Sequence, residues 1–280
     1  MKFGVHAFIW TASFEQSNLD LLPMIKQHGF DGLEIPLFHP ADFPATAIRR
    51  ALEQNRLECT VSAVMVDGLS LIAADADIRR RARVHLAEAV RAVAEAGSQI
   101  LAGPLYAPVG YLPGRRRTAE EWRWAVEAYQ ELGPVLDAHG VTLAIEPLNR
   151  FETYFLNTAA DAVALVEEVG HPRIGVLLDT FHANIEEKDL GAAYRLAGGR
   201  LKHVHTSEND RGTPGTGHVE WDAVFAALRS IAYDGWLTIE SFGFALGGIS
   251  AAASIWRDLE SSPDRIAFDG VKFLKRMAAA

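Results

Sequence analysis

One cysteine, Cys59, is the whole thiol inventory of this 280-residue chain, so no internal disulfide can form and no set of thiolates can hold a structural zinc. It falls in the strand-like stretch LECTVSAV and reads as a buried structural thiol rather than a nucleophile. No apolar run approaches the ~20 residues needed to cross a bilayer. The opening MKFGVHAFIW carries one charge ahead of a short apolar run, with no small-residue cleavage site. Basic residues are the minority: 27 Lys and Arg against 36 Asp and Glu give a formal net charge of -9. That balance argues against a nucleic-acid partner or an anionic membrane surface. No glycine-rich phosphate loop occurs, and no linker or low-complexity stretch divides the chain. What remains is one acidic domain over residues 1–280, expected in the cytoplasm and expected to act on a small molecule.

The pattern that is present is an alternation repeated eight times. Short aliphatic, strand-like stretches lie at 3–9, 31–35, 58–64, 99–103, 141–146, 174–179, 201–205 and 236–241. Helical periodicity covers about 18–28, 46–56, 77–96, 118–138, 158–169, 189–196, 221–231 and 265–277. Thr118 ahead of Glu120 and Glu121, and Thr158 ahead of Asp161, are helix-start signals. Gly29, Gly97, Gly140 and Gly170 stand where helices should stop. Eight βα units in one domain predict an α/β fold, the (β/α)8 TIM barrel, whose active sites lie at the C-terminal ends of its strands.

Four consecutive strands end on a metal-ligand side chain: VTLAIE at Glu146, IGVLLD at Asp179, LKHVH at His205 and WLTIE at Glu240. Side chains alternate along a strand with period two. If these ends point inward, so do Thr142, Ala144, Gly175, Leu177, His203, Trp236 and Thr238. The outward set is then Leu143, Ile145, Val176, Leu178, Val204, Leu237 and Ile239. Small or polar inside and aliphatic outside suits a barrel wrapped in helices, although Trp236 and Leu177 fit less well. A lone strand-end carboxylate more often caps the next helix or pairs with a cation; four from adjacent strands point to a metal centre. Three hard oxygens and one imidazole suit Mn2+ first, with Co2+ or Mg2+ as alternatives.

Other residues near the strand ends keep two readings. His203 lies one step deeper than His205 on the same face and is expected to support rather than ligate. His6 and Trp10 near the end of the first strand are either a sugar-stacking wall or barrel packing, with Trp10 the better substrate contact because it lies nearer the rim. Glu34, ending the second strand, either reaches the pocket or pairs structurally. The Gly- and Pro-rich GPLYAPVGYLPGRRR at 103–117 reads as a loop over the site. Within it Tyr106, Val109 and Tyr111 are candidates to line the far end, and Arg115 to Arg117, directly ahead of a helix, read as a solvated surface cluster rather than as a phosphate grip.

Longer segments around the strand ends carry a resemblance. EPLNRFETYFLNT from Glu146, LDTFHANIEE from Leu178, HVHTSENDRGTPGTGH from His203 and IESF from Ile239 resemble the ketose 3-epimerases, within the xylose-isomerase-like barrels. The resemblance implies that Glu146, Asp179, His205 and Glu240 bind one divalent cation and that Glu146 and Glu240 are also the catalytic acid and base. It places Glu152, His182 and Arg211 at substrate-binding positions. Taken without it, Glu152 is also a surface helix-cap residue, His182 a support for Asp179, and Arg211 a loop cation paired with Asp210. The resemblance further implies a free ketose as the small-molecule partner and a homodimer or homotetramer. An aldose–ketose isomerase of the same superfamily, resembling hydroxypyruvate isomerase, is the alternative. Phosphodiester hydrolysis and non-catalytic sugar binding are more distant ones.

Overall fold

Helices begin and end where the start and stop signals stand. Thr118 Oγ1 accepts from the Glu121 backbone N–H at 3.2 Å and the Glu121 carboxylate accepts from the Thr118 N–H at 2.7 Å, a reciprocal cap on the helix Ala119–His139. Thr158 caps Ala159–Val169 through Asp161 N–H at 3.1 Å. Gly140 and Gly170 follow these two helices in the left-handed region, at φ 67° and 69°, which a Cβ would disfavour.

The computed structural model describes residues 1–280. Its strands are β1 (Lys2–His6), β2 (Gly32–Leu37), β3 (Glu58–Ala63), β4 (Ile100–Gly103), β5 (Thr142–Ile145), β6 (Ile174–Asp179), β7 (Leu201–His205) and β8 (Trp236–Ile239). All pair in parallel in chain order, and β8 returns to β1, closing the barrel. The expected (β/α)8 architecture is therefore present. The outward-facing aliphatics, Leu143, Ile145, Val176, Val204 and Leu237 among them, join the helices in one continuous hydrophobic shell. Burying that shell, at roughly 25 cal/mol per Å² of apolar surface, is the main force closing the fold. Ala102, Ala144 and Leu177 form a separate small cluster inside the barrel, where strand parity places Ala144 and Leu177.

Trp236 is accommodated because its neighbours lack side chains. A Cβ on Gly4 would stand 3.3 Å from the indole Cε3, and one on Gly32 would stand 2.7 Å from Cη2 and 2.4 Å from the Glu58 carbonyl. The indole thus fills the N-terminal end of the barrel interior. Cys59 is buried, and that burial pushes its thiol up to about 12, consistent with a structural role.

The first strand and the turns after β6 and β8 differ from expectation. The first strand stops at His6 rather than residue 9, because His6 Nδ1 accepts the Phe8 backbone N–H at 3.0 Å and turns the chain into a short 3-10 helix, Ala7–Ile9. Two short helices, Thr180–Glu186 and Gly248–Ala252, follow β6 and β8. The first is capped by Asp179 itself. The second lies in a glycine-rich stretch with no helical periodicity to read.

Candidate active site

The four strand ends meet. One ligand atom from each of Glu146, Asp179, His205 and Glu240 lies within 4.8 Å of the other three, and all four residues are buried. Asp179 divides its two oxygens between local structure and the site: Oδ1 accepts the Phe181 N–H at 2.9 Å as a helix cap, while Oδ2 takes Arg211 Nη1 at 2.6 Å. Arg211 Nη1 also reaches Glu240 Oε2 at 2.8 Å and Ser207 Oγ at 2.9 Å. The Arg211 backbone sits at φ 64°, a left-handed conformation unusual for a side chain this large, and Ser241 Oγ donates to its carbonyl at 2.5 Å. It is paired with site carboxylates and not with Asp210, which Arg257 contacts instead.

Charge decides what such a cluster tolerates. Two carboxylates whose ligand atoms lie within 4.8 Å of each other repel by roughly 3 kcal/mol or more at an effective dielectric of about 20. Burial, reinforced by Glu240 and Asp179, raises the Glu146 carboxyl to about 8 against the pull of His205. Burial also raises Asp179, opposed by Arg211. Burial would raise Glu240 too, but His205 and Arg211 outweigh it and hold its carboxyl well below the ordinary range. His205 goes the other way: burial lowers it, but Glu240 and Glu34 hold it well above 6.5. A divalent cation among these donors would neutralise the repulsion and pull Glu146 down again.

The residues fit such an ion. Glu146 Oε1 and His205 Nδ1 are buried and have no hydrogen-bond partner; they stand 3.7 Å apart, and His205 Nδ1 lies 3.4 Å from Glu240 Oε2. Orphaned buried donors facing one point, with three oxygens and one imidazole nitrogen, are what a hard divalent cation satisfies.

Beside the cluster opens a cavity of about 170 Å³ with two poles. Glu146, Glu152, His182, Arg211 and Glu240 form the polar one; Phe8, Phe38, Val64, Val109, Leu148 and Phe242 form most of the apolar one. Ile249, Ala252 and Ala253 also line it. His182 Nδ1 faces the Asn149 backbone N–H at 3.2 Å and its amide at 2.9 Å, so Nδ1 accepts and Nε2 carries the proton toward the cavity. Arg211 Nη2, 3.3 Å from that Nε2, is then a contact of two N–H groups. Burial, with Arg211, keeps the ring neutral, well below the usual imidazole range. Asn149 Nδ2 also donates to Glu152 Oε1 at 2.8 Å. Burial raises the Glu152 carboxyl, with Arg211 opposing.

The other expected positions are placed as follows. Trp10 is not in the cavity: the turn after His6 carries it outward, where its indole Nε1 donates to Asp264 Oδ1 at 2.7 Å and its ring lies 6.3 Å from Phe268. Phe8, stacked 4.2 Å from His6 and 5.5 Å from Phe242, stands there instead. Of the loop candidates, Val109 lines the cavity. Tyr106 is core, its hydroxyl donating to the Glu146 backbone carbonyl at 3.1 Å, and Tyr111 borders a separate cavity of about 460 Å³ with Tyr154. Arg115 and Arg117 are not simply solvated: Arg115 forks onto Glu121 at 2.6 and 3.0 Å, and Arg117 holds Asp161 at 2.7 Å and the Phe155 carbonyl at 2.6 Å. His203 lies against Glu34 with Nε2 2.6 Å from Oε2, off the hydrogen-bond axis.

Sequence reading did not single out Asn149, Phe8 or Glu208. Asn149 stands three residues ahead of Glu152, a spacing that puts both in one turn. Glu208 is fully buried and accepts from Gly215 N–H at 2.7 Å, Val219 N–H at 3.0 Å and Trp221 Nε1 at 2.9 Å, sewing together the loop that carries Arg211; no sequence signal marks it.

A closed parallel barrel with acidic and imidazole donors at the C-terminal ends of β5 to β8 defines the class, and the family model for the xylose isomerase-like TIM barrel matches residues 22–277. A probable ketose 3-epimerase of Synechocystis sp. is 37% identical over 276 residues, 99% of this chain and 96% of the relative. An L-ribulose 3-epimerase of Mesorhizobium japonicum is 35% identical, covering 92% of this chain and 88% of the relative. The crystal structure of a D-allulose 3-epimerase from Methylomonas sp. in complex with D-allulose superposes with a TM-score of 0.94 at 29% identity, over 99% of this chain and 97% of that one. The chain belongs to the ketose 3-epimerase family, whose members are isomerase-class carbohydrate epimerases.

Proposed function

We propose that this protein interconverts the C3 epimers of a free ketose, with a divalent cation, Mn2+ first and Co2+ or Mg2+ as alternatives, held by Glu146, Asp179, His205 and Glu240. The observation that carries the reading is the position of Glu146 and Glu240. They come from β5 and β8, share the donor cluster, and both face the cavity. Epimerisation needs a proton taken from one face of the carbon next to a carbonyl and one returned to the other face, a task for two carboxyl groups approaching from different sides. When bound, the cation supplies Lewis-acid stabilisation for the negative charge of the enediolate.

The rest is the work of this chain's side chains. Arg211 donates to the oxygens where charge develops, and neutral His182 offers its Nε2–H to the same region. Glu152, held by Asn149, accepts from a sugar hydroxyl. The polar pole thus grips the C1 to C3 end, and the aromatic and aliphatic pole receives the remainder of the chain and keeps water out. Few polar groups face that remainder, which suits both ketohexoses (D-fructose and D-allulose, D-tagatose and D-sorbose) and ketopentoses such as ribulose and xylulose.

Val109, Tyr111, Leu112 and Phe151 leave large apolar side chains exposed on the loops after β4 and β5. They support self-association as a homodimer or homotetramer. No helix is long and apolar enough to cross a membrane, and the acidic composition with one buried thiol supports the cytoplasm as its compartment.

The test is a panel of D- and L-ketoses incubated with Mn2+-loaded protein in deuterated water. Deuterium at C3 with the carbonyl still at C2 is the expected result. A carbonyl that has moved to C1 means an aldose–ketose isomerase, and no exchange on any sugar in the panel ends the proposal.

A further inference from the structure

Beneath the donor cluster, one layer deeper in the barrel, lies a charged group that the reaction itself does not use. Glu34, the third residue of β2, is fully buried, and no Lys or Arg contacts it. Its hydrogen-bond partners are His205 Nε2 at 2.6 Å on Oε1 and the Thr60 hydroxyl at 2.6 Å on Oε2, with His203 Nε2 packed 2.6 Å from Oε2 off the hydrogen-bond axis. The next imidazole, His6, stands 3.9 Å away and gives its own Nε2 to Ser62 Oγ at 2.6 Å. A carboxylate this deep persists only where its oxygens are engaged by donors.

We propose that Glu34 is a positioning residue of the metal centre: by holding the Nε2–H of His205 it determines that Nδ1 is the nitrogen offered to the cation. The inference rests on the metal-binding reading given above. The form of His205 that can bind a cation is the neutral imidazole, which has one N–H and one lone pair. With the proton fixed on Nε2 by Glu34, the lone pair falls on Nδ1, which faces Glu146 Oε1 and Glu240 Oε2 at 3.7 and 3.4 Å and has no hydrogen-bond partner. The opposite tautomer would aim an N–H at the cation site and set a lone pair against a buried carboxylate. The negative charge behind the ring also makes Nδ1 a stronger donor. The Thr60 hydroxyl holds the other Glu34 oxygen, and the His203 ring packs against it, so the carboxylate is fixed on both sides.

Glu34, His203 and His205 also come close enough to one another to be counted as a second donor set. Both Glu34 oxygens are already engaged at 2.6 Å by imidazole and hydroxyl groups, and His205 cannot give Nε2 to an ion while donating from it. The geometry therefore assigns one ion per chain and a supporting role to this trio.

Two measurements test this. Calorimetric titration of metal-stripped protein with Co2+ is expected to give one ion per chain for the wild type and an affinity ~10–100-fold weaker for Glu34→Gln, with the variant's melting transition still cooperative. Undiminished affinity in Glu34→Gln, or two ions per wild-type chain, overturns the proposal. Long-range 1H–15N spectra of the wild type loaded with Mg2+ do not depend on the variant folding. A proton retained on His205 Nε2 supports the assignment, and a proton on Nδ1 overturns it. A wild type that binds no divalent cation sinks the metal centre as a whole, whereas tight binding by both forms sinks the role of Glu34 alone.

Discussion

At the N-terminal end of the barrel, Trp236 lies against Gly4 and Gly32, with Leu177, Ala102 and Ala144 in the small cluster above it. At the C-terminal end the same eight strands present Glu34, Glu146, Asp179, His205, Glu240 and the incoming Arg211. One end is matched in volume and indifferent to charge. The other is matched in charge and leaves Glu146 Oε1 and His205 Nδ1, among other buried polar atoms, without hydrogen-bond partners. Stability and chemistry are thus divided along the strand axis, and the strands that carry the donors are anchored by a plug that takes no part in the reaction.

That division can be broken from either end. Glu240→Gln keeps the shape of the side chain and removes its ability to transfer a proton, so turnover is expected to fall ~10²–10⁴-fold while the melting temperature stays near that of the wild type; a variant with turnover intact refutes its role. Gly32→Ala places a methyl 2.4 Å from the Glu58 carbonyl and 2.7 Å from the Trp236 ring, and overpacking of this kind costs about 1–3 kcal/mol. Chemical denaturation should show that loss with KM unchanged; a KM that moves with it would mean the two ends are coupled. The smallest effect belongs to Trp10→Phe, which gives up one exposed hydrogen bond to Asp264, less than about 1 kcal/mol. KM should not respond to it, whereas Phe8→Ala should raise KM. A KM sensitive to Trp10 and indifferent to Phe8 would return the sugar wall to the indole.

The barrel and the donor quartet were legible because both follow from period-two alternation. A strand ending on Glu, Asp or His at inward parity fixes the side chain's direction without any knowledge of its neighbours. Trp236 read as a misfit because its acceptance depends on Gly4 and Gly32, far away in the chain and adjacent only across the barrel. Trp10 was misplaced by four residues of backbone: a side-chain-to-backbone bond at His6 ends the strand early, and such local competition with the sheet leaves no periodic trace. Glu34 kept two readings because its partners, His203 and His205, are brought beside it only when β2 and β7 face each other inside the closed barrel. Tyr106 and Tyr111 sit in one loop and look alike in sequence, yet one staples the end of β5 and the other borders a different cavity.

The loop after β7, drawn together by the carboxylate of Glu208, limits where a protein engineer can work. Four N–H groups converge on that one side chain, so a change near Gly215 or Val219 would be felt at Arg211 before it reached any sugar. Residues on the opposite wall, Val64, Val109, Ile249, Ala252 and Ala253, face the cavity without such bonds. Libraries aimed at new substrates belong there, and the stretch from Glu208 to Val219 is best left as it is.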